Sequence, residues 1–156
     1  MDDKAAAPWS VLEAPRPILS VWWPVAAWVV VNFIFSTSYF SASQTASVIK
    51  PILRFLFPHA DPPTIDTLHA LIRKLAHFAQ YAVLFWLLAR KPMRGRPALA
   101  LLVCVMFALM DEGHQMFVPS RTASLLDVGL DFSGALFANF VRAGIAAISL
   151  AILELT

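Results

Sequence analysis

PILSVWWPVAAWVVVNFIFSTSYFSASQTASVI, residues 17–49, carries no Asp, Glu, Lys or Arg. Ser41-Ala42-Ser43 faintly resembles a signal-peptide cleavage site, but a secretory core needs only ~7–15 apolar residues. This run is far longer and reads as a retained membrane span. The rest of the chain agrees. Apolar residues make up 59% and charged residues 14%, against roughly 45–50% and about 25% in soluble domains. A chain of 156 residues has too much surface for its volume to hide that excess from water. Lipid is the solvent that suits it, and the five tryptophans suit the membrane–water boundary.

Outward from that run, the pattern predicts an all-α fold: a bundle of four membrane-spanning helices with an interfacial helix between spans one and two. Residues 1–16 read as a short disordered lead. The spans are predicted at about 18–36, 73–89, 97–117 and 125–153, each near the ~20 residues that cross ~30 Å of hydrocarbon. Ser36 to Ser47 reads as a headgroup-level loop. Val48 to Phe57 mixes Lys50 and Arg54 with apolar residues, as an interfacial helix does. Pro58 and Pro62-Pro63 are expected to end it. Thr64 is the expected N-cap of the next helix, with Asp66 favourably placed in its first turn. Cys104, the single cysteine, excludes an intramolecular disulfide and reads as a small buried hydrophobe. His59 and His69 read as surface histidines. No repeat and no second domain is visible.

Orientation follows from the short loops. Arg90, Lys91, Arg94 and Arg96 crowd the connection between spans two and three, which marks it as cytoplasmic. Four spans then put both termini inside. Lys50, Arg54, Arg73, Lys74 and Arg121 fall outside on this assignment, close to acids or on the interfacial segment. The net charge of +2, without a basic stripe, gives no reason to expect a nucleic-acid partner. The bilayer itself is the expected partner, and the oligomeric state is left open.

Ionisable groups inside spans cost ~2.5–3.5 kcal/mol each on insertion scales, so each needs a reason. Lys74, His77 and Tyr81, at i, i+3 and i+7, share one stripe at the start of span two. Asp111, Glu112, His114 and Gln115 occupy the end of span three, with His114 read as an interfacial residue. Asp127 and Asp131, at i and i+4, share a face at the start of span four, and Arg121 lies in the loop before them. In an up-down bundle these positions meet at one membrane face, the outer one by the charge rule. Arg142 lies 15 residues after Asp127, roughly 22 Å along a helix at ~1.5 Å per residue, where it can snorkel to the opposite headgroups.

Two kinds of role fit this convergence. The polar groups can lock helices together, at roughly 0.6–2 kcal/mol per contact, although Gly134 and Ala138 already offer a close-packing face. Alternatively they form a site. His77, Asp111, Glu112 and Asp127 are then the candidates for acid–base work on a bound headgroup, with Lys74, Tyr81, Gln115, Arg121 and Asp131 as candidate binding residues. Some of these side chains could also ligate a divalent cation, but no ligand-spaced motif supports one and no cofactor is expected. Whether there is turnover stays open.

KLAHFAQYAVLFWLLAR (Lys74 to Arg90) and DEGHQMFVPSRTASLLDVGLDFSGALFANF (Asp111 to Phe140) together resemble the VanZ-like family of small bacterial membrane proteins. The shared pattern is Lys-x-x-His-Phe-x-x-Tyr, Asp-Glu-x-x-Gln, an Arg, and Asp-x-x-x-Asn-x-x-Gly, over roughly Phe33 to Val141. The Ser-rich FSTSYFSASQ after span one is also typical of the family. Where the pattern has Asn this chain has Asp131, which adds negative charge and, when ionised, offers no donor. The resemblance implies a bacterial inner-membrane location and a role at the cell envelope, near lipid-linked wall precursors, linked to low-level teicoplanin resistance. It implies no settled reaction.

Overall fold

The structure, a computed structural model, describes residues 18–118 and 124–155, so the N-terminal lead and Arg121 lie outside the described residues. Every regular element among them is helical. They are α1 (Ile18–Ser36), α2 (Ala42–Leu56), α3 (Pro62–Arg90), α4 (Pro97–Gln115) and α5 (Leu125–Glu154), with a single 3-10 turn at Ser38–Phe40. The fold is an all-α bundle of four long helices, with α2 between the first and second. By length and composition α1, α4 and α5 are each apolar enough to cross a membrane. The fourth is α3, whose apolar second half packs along α5.

α3 is a single helix of 29 residues, about 44 Å at ~1.5 Å per residue. Its second half is the more apolar one, but α3 as a whole is not among the helices apolar enough to cross a membrane by length and composition, unlike α1, α4 and α5. It begins earlier than the Thr64 cap expected from sequence. Asp61 is the N-cap, Pro62 and Pro63 form the first turn, and Thr64 Oγ1 donates to Asp61 Oδ1. The prolines open this helix because their missing N–H groups would have had no intrahelical acceptor there.

α2 also starts earlier than its apolar pattern suggests. The Ser41 side chain accepts from Gln44 N–H and starts the helix at Ala42, so half of the expected Ser-rich loop is helical. Leu53 of α2 and Ile65 of α3 are both buried, which fits α2 folding back along the first half of α3. Lys50 Nζ lies 2.7 Å from Asp66 Oδ1 and holds that carboxyl below its ordinary value. The same packing overturns the surface reading of His69. This residue is buried, with Nε2 3.1 Å from Thr45 Oγ1. His59 is exposed.

The bundle core forms where α3, α4 and α5 meet. Phe85, Leu84 and Leu88 of α3 are buried among Ala100, Cys104 and Ala108 of α4 and Ala135 of α5. The small residues of α4 recur every fourth position, so one narrow stripe lets its backbone come close to its neighbours. At Gly134 the approach is closer still. A Cβ placed there would run into the Phe78 carbonyl oxygen, so α5 rests on the α3 backbone. α1 is peripheral: only Val25 and Ser36 of its residues are buried, and Trp28 Nε1 donates to the Gln80 carbonyl at 2.9 Å. Gly95, at φ 80°, makes the turn from α3 into α4, a conformation that residues with a Cβ rarely adopt.

Candidate functional site

Asp131 is fully withdrawn from the surface, with 0% of it exposed. It sits one turn before Gly134, so the close α3–α5 crossing beside it excludes water. His77 of α3 faces it, with Nδ1 3.4 Å from Asp131 Oδ1. That is ion-pair range rather than the ~2.7–3.2 Å of a hydrogen bond. The residue that departs from the family pattern is thus opposite an imidazole, which can present an N–H to a carboxylate. A buried carboxylate without full pairing costs several kcal/mol. Its retention therefore needs a compensating role.

Glu112 is 5% exposed. Its Oε2 accepts from Ser124 N–H at 2.7 Å, while its Oε1 is shielded and has no hydrogen-bond partner among the described residues. Ser124 is itself the N-cap of α5, its side chain accepting from Leu126 N–H at 3.2 Å. The start of α5 is therefore anchored to the last turn of α4. Gln115 is buried and donates through Nε2 to Asp111 Oδ2 at 2.9 Å. Asp127 is half-buried in the first turn of α5.

A smaller cavity, about 230 Å³, lies between α1, α3 and α4 and is lined in part by Asn32, Tyr81, Asp111 and His114. Tyr81 is buried. The three helix ends therefore meet as their spacing implied, and His77, Tyr81, Asp111, Glu112, Gln115, Asp127 and Asp131 all lie at that end. Lys74 is exposed and makes no ion pair with these acids among the described residues. Among the described residues no three His, Cys, Asp or Glu side chains are grouped so as to hold a metal ion.

Two contributors escaped the spacing argument. His114, expected at the interface, has Nδ1 3.2 Å from Ser36 Oγ and its ring 5.0 Å from that of Phe33, which ties α4 to α1. Arg73 Nη1 donates to the Phe40 carbonyl at 2.9 Å and to Thr45 Oγ1 at 3.2 Å. It brings a half-buried cation beside the cluster. A Ser/Thr-rich segment next to an Arg-bearing helix was the only hint of that contact.

Helices of this length and composition, with charge withdrawn at one end, define a multi-pass helical membrane protein. The VanZ/LLP1 family model matches residues 21–145. The chain belongs to the VanZ/LLP1 family. No curated protein and no solved structure matches it.

Proposed function

We propose that the polar end of the bundle binds the phosphate-bearing headgroup of a lipid, of the lipid-linked wall-precursor class, at the outer face of a bacterial inner membrane. Both termini then lie in the cytoplasm, and the resistance to teicoplanin-type glycopeptides implied by the family would follow from occupation of the precursor. The observation that carries this reading is Asp131, fully buried and facing His77 across the α3–α5 seam. A carboxylate there orients the imidazole, and an oriented imidazole can hold or pass a proton at a bound headgroup. Lys74 and Arg121 supply cations that suit phosphate oxygens. Glu112 adds a second acid with one shielded oxygen uncommitted among the described residues.

A second reading has its own support. Glu112 already anchors Ser124, and the His77–Asp131 pair already joins α3 to α5. On that basis the cluster only locks the helices, and the protein binds or shields a partner without chemistry.

Purified protein in nanodiscs, titrated with a polyprenyl-diphosphate-linked precursor and with the matching polyprenol, separates the two. The headgroup reading expects the diphosphate form to bind at least about tenfold tighter, as charge-assisted hydrogen bonds would make it. Equal affinity for the two, or none for either, would leave the locking reading in possession.

A further inference from the structure

A larger cavity, about 420 Å³, opens between α2, α3 and the turn after α1. That volume lies within the ~300–1,000 Å³ of ordinary ligand sites. Its walls are mostly apolar, including Phe35, Val48, Ile49, Ile72 and Ala76. Arg73 and His77 interrupt them. His77 is the residue that faces Asp131, so this groove and the acidic cluster share a wall. Gln80, seven residues along α3 from Arg73, also lines it. The groove therefore runs roughly 10 Å along the helix, at ~1.5 Å per residue, into the more apolar half of α3.

Arg73 is held in place but not used up. Among the described residues its hydrogen bonds both leave from Nη1, to Phe40 and Thr45. A guanidinium has five N–H donors in a rigid fork, so Nε and Nη2 remain for an acceptor from outside the protein. An apolar slot in a membrane protein suits hydrocarbon, and a half-buried guanidinium beside it suits a phosphate.

We propose that the α2–α3 groove takes the hydrocarbon chain of a phosphate-bearing lipid and that Arg73 holds its phosphate, next to His77. This rests on the headgroup reading and gives it a route: the ligand reaches the polar end sideways from the bilayer, under α2. A partner helix or a second copy is a poorer occupant. It would have to enter a slot already roofed by α2, and it would bring no anion for Arg73.

The test uses the full chain in phosphatidylcholine nanodiscs, with polyprenyl phosphate, polyprenol, inorganic phosphate and a short-chain prenyl diphosphate as probes. Polyprenyl phosphate should bind, polyprenol about tenfold more weakly, and inorganic phosphate not measurably. R73Q should weaken polyprenyl phosphate about tenfold and leave polyprenol unchanged. A76T would narrow the slot only slightly, so A76W is the blocking variant, with V48W from the opposite wall as its independent check. Both should abolish binding of the long-chain probes at unchanged melting temperature and spare the short-chain diphosphate.

If long-chain binding survives A76W and V48W, or is indifferent to R73Q, the groove proposal is wrong. The headgroup reading would still stand if the short-chain diphosphate bound and its affinity changed at least about tenfold in E112Q. If wild-type protein binds no phosphate-bearing probe, both fall together.

Discussion

At one end of the bundle Arg90, Lys91, Arg94 and Arg96 surround the turn between α3 and α4, and all four are exposed. At the other end Asp111, Glu112, Asp127 and Asp131 occupy the ends of two helices, and none of the four is exposed. The cations keep their hydration, so they cost little. Of the acids, Glu112 and Asp131 have given up water, and each such desolvation costs several kcal/mol unless a partner restores it. His77 and the Ser124 N–H restore part of it. The contrast teaches that charge on this chain is of two kinds, one that stays hydrated at the surface and one that must be answered by another group.

The largest expected effect is all-or-none and concerns the first kind. In a Cys104→Ala background, Met116→Cys beside the acidic end should react with an impermeant maleimide in intact cells. Met93→Cys in the basic turn should react only after permeabilisation. The opposite pattern would invert the orientation and move the acidic end to the cytoplasm.

Next in size is the seam that keeps the acids dry. Gly134→Ala puts a methyl group into the Phe78 carbonyl, with backbone on both sides and no flexible side chain to yield. The helices must part, at a cost of about 1–3 kcal/mol or more by analogy with overpacked cores. At Gly129 and Gly144 an added methyl group would meet nothing within 4 Å, so alanine there should be neutral or stabilise by up to ~1 kcal/mol. Thermal melting in detergent measures all three, and equal midpoints would mean that the seam is not close-packed.

The smallest effect is a pH dependence where α2 covers α3. Burial chiefly, with Arg73 and Lys50 adding to it against Asp66, holds the His69 pKa below its ordinary 6.5. The unfolded chain therefore takes up a proton first. Stability from this packing is complete above pH 6.5 and declines as the pH falls below it, at no more than about 1.4 kcal/mol per pH unit. His69→Gln should flatten that decline in melts between pH 7.5 and 5.5, and an unchanged slope would point to another group.

Three long apolar helices, α1, α4 and α5, were legible because run length and missing charge depend on nothing beyond the local sequence. The site end was legible because helical spacing and up-down connection together fix which helix ends meet. Gly134 stood out as one of a small-residue pair for the same reason. His69 was not legible, since its burial depends on α2 folding back over α3, a tertiary event that its own neighbours do not encode. Arg73 and Lys74 are adjacent cations, and the helical stripe with His77 and Tyr81 favoured Lys74. The backbone of the Ser-rich turn engages the neighbouring Arg73, through the Phe40 carbonyl. The start of α3 was not legible either, because Pro62-Pro63 serves equally as a stop after one helix and as the first turn of another.

Whether the withdrawn acids answer to a ligand or only to each other is decided most directly at Glu112. Glu112→Gln keeps the shape and an oxygen for Ser124 N–H, and removes the charge. Melting temperature and precursor affinity measured on the same nanodisc sample give the result. A ligand site predicts a midpoint within about 2–4 °C of wild type, the scale of a ~1 kcal/mol change, with affinity changed at least about tenfold, upward where the carboxylate had repelled the phosphate. A collapsed midpoint with unchanged affinity in the folded fraction would contradict it.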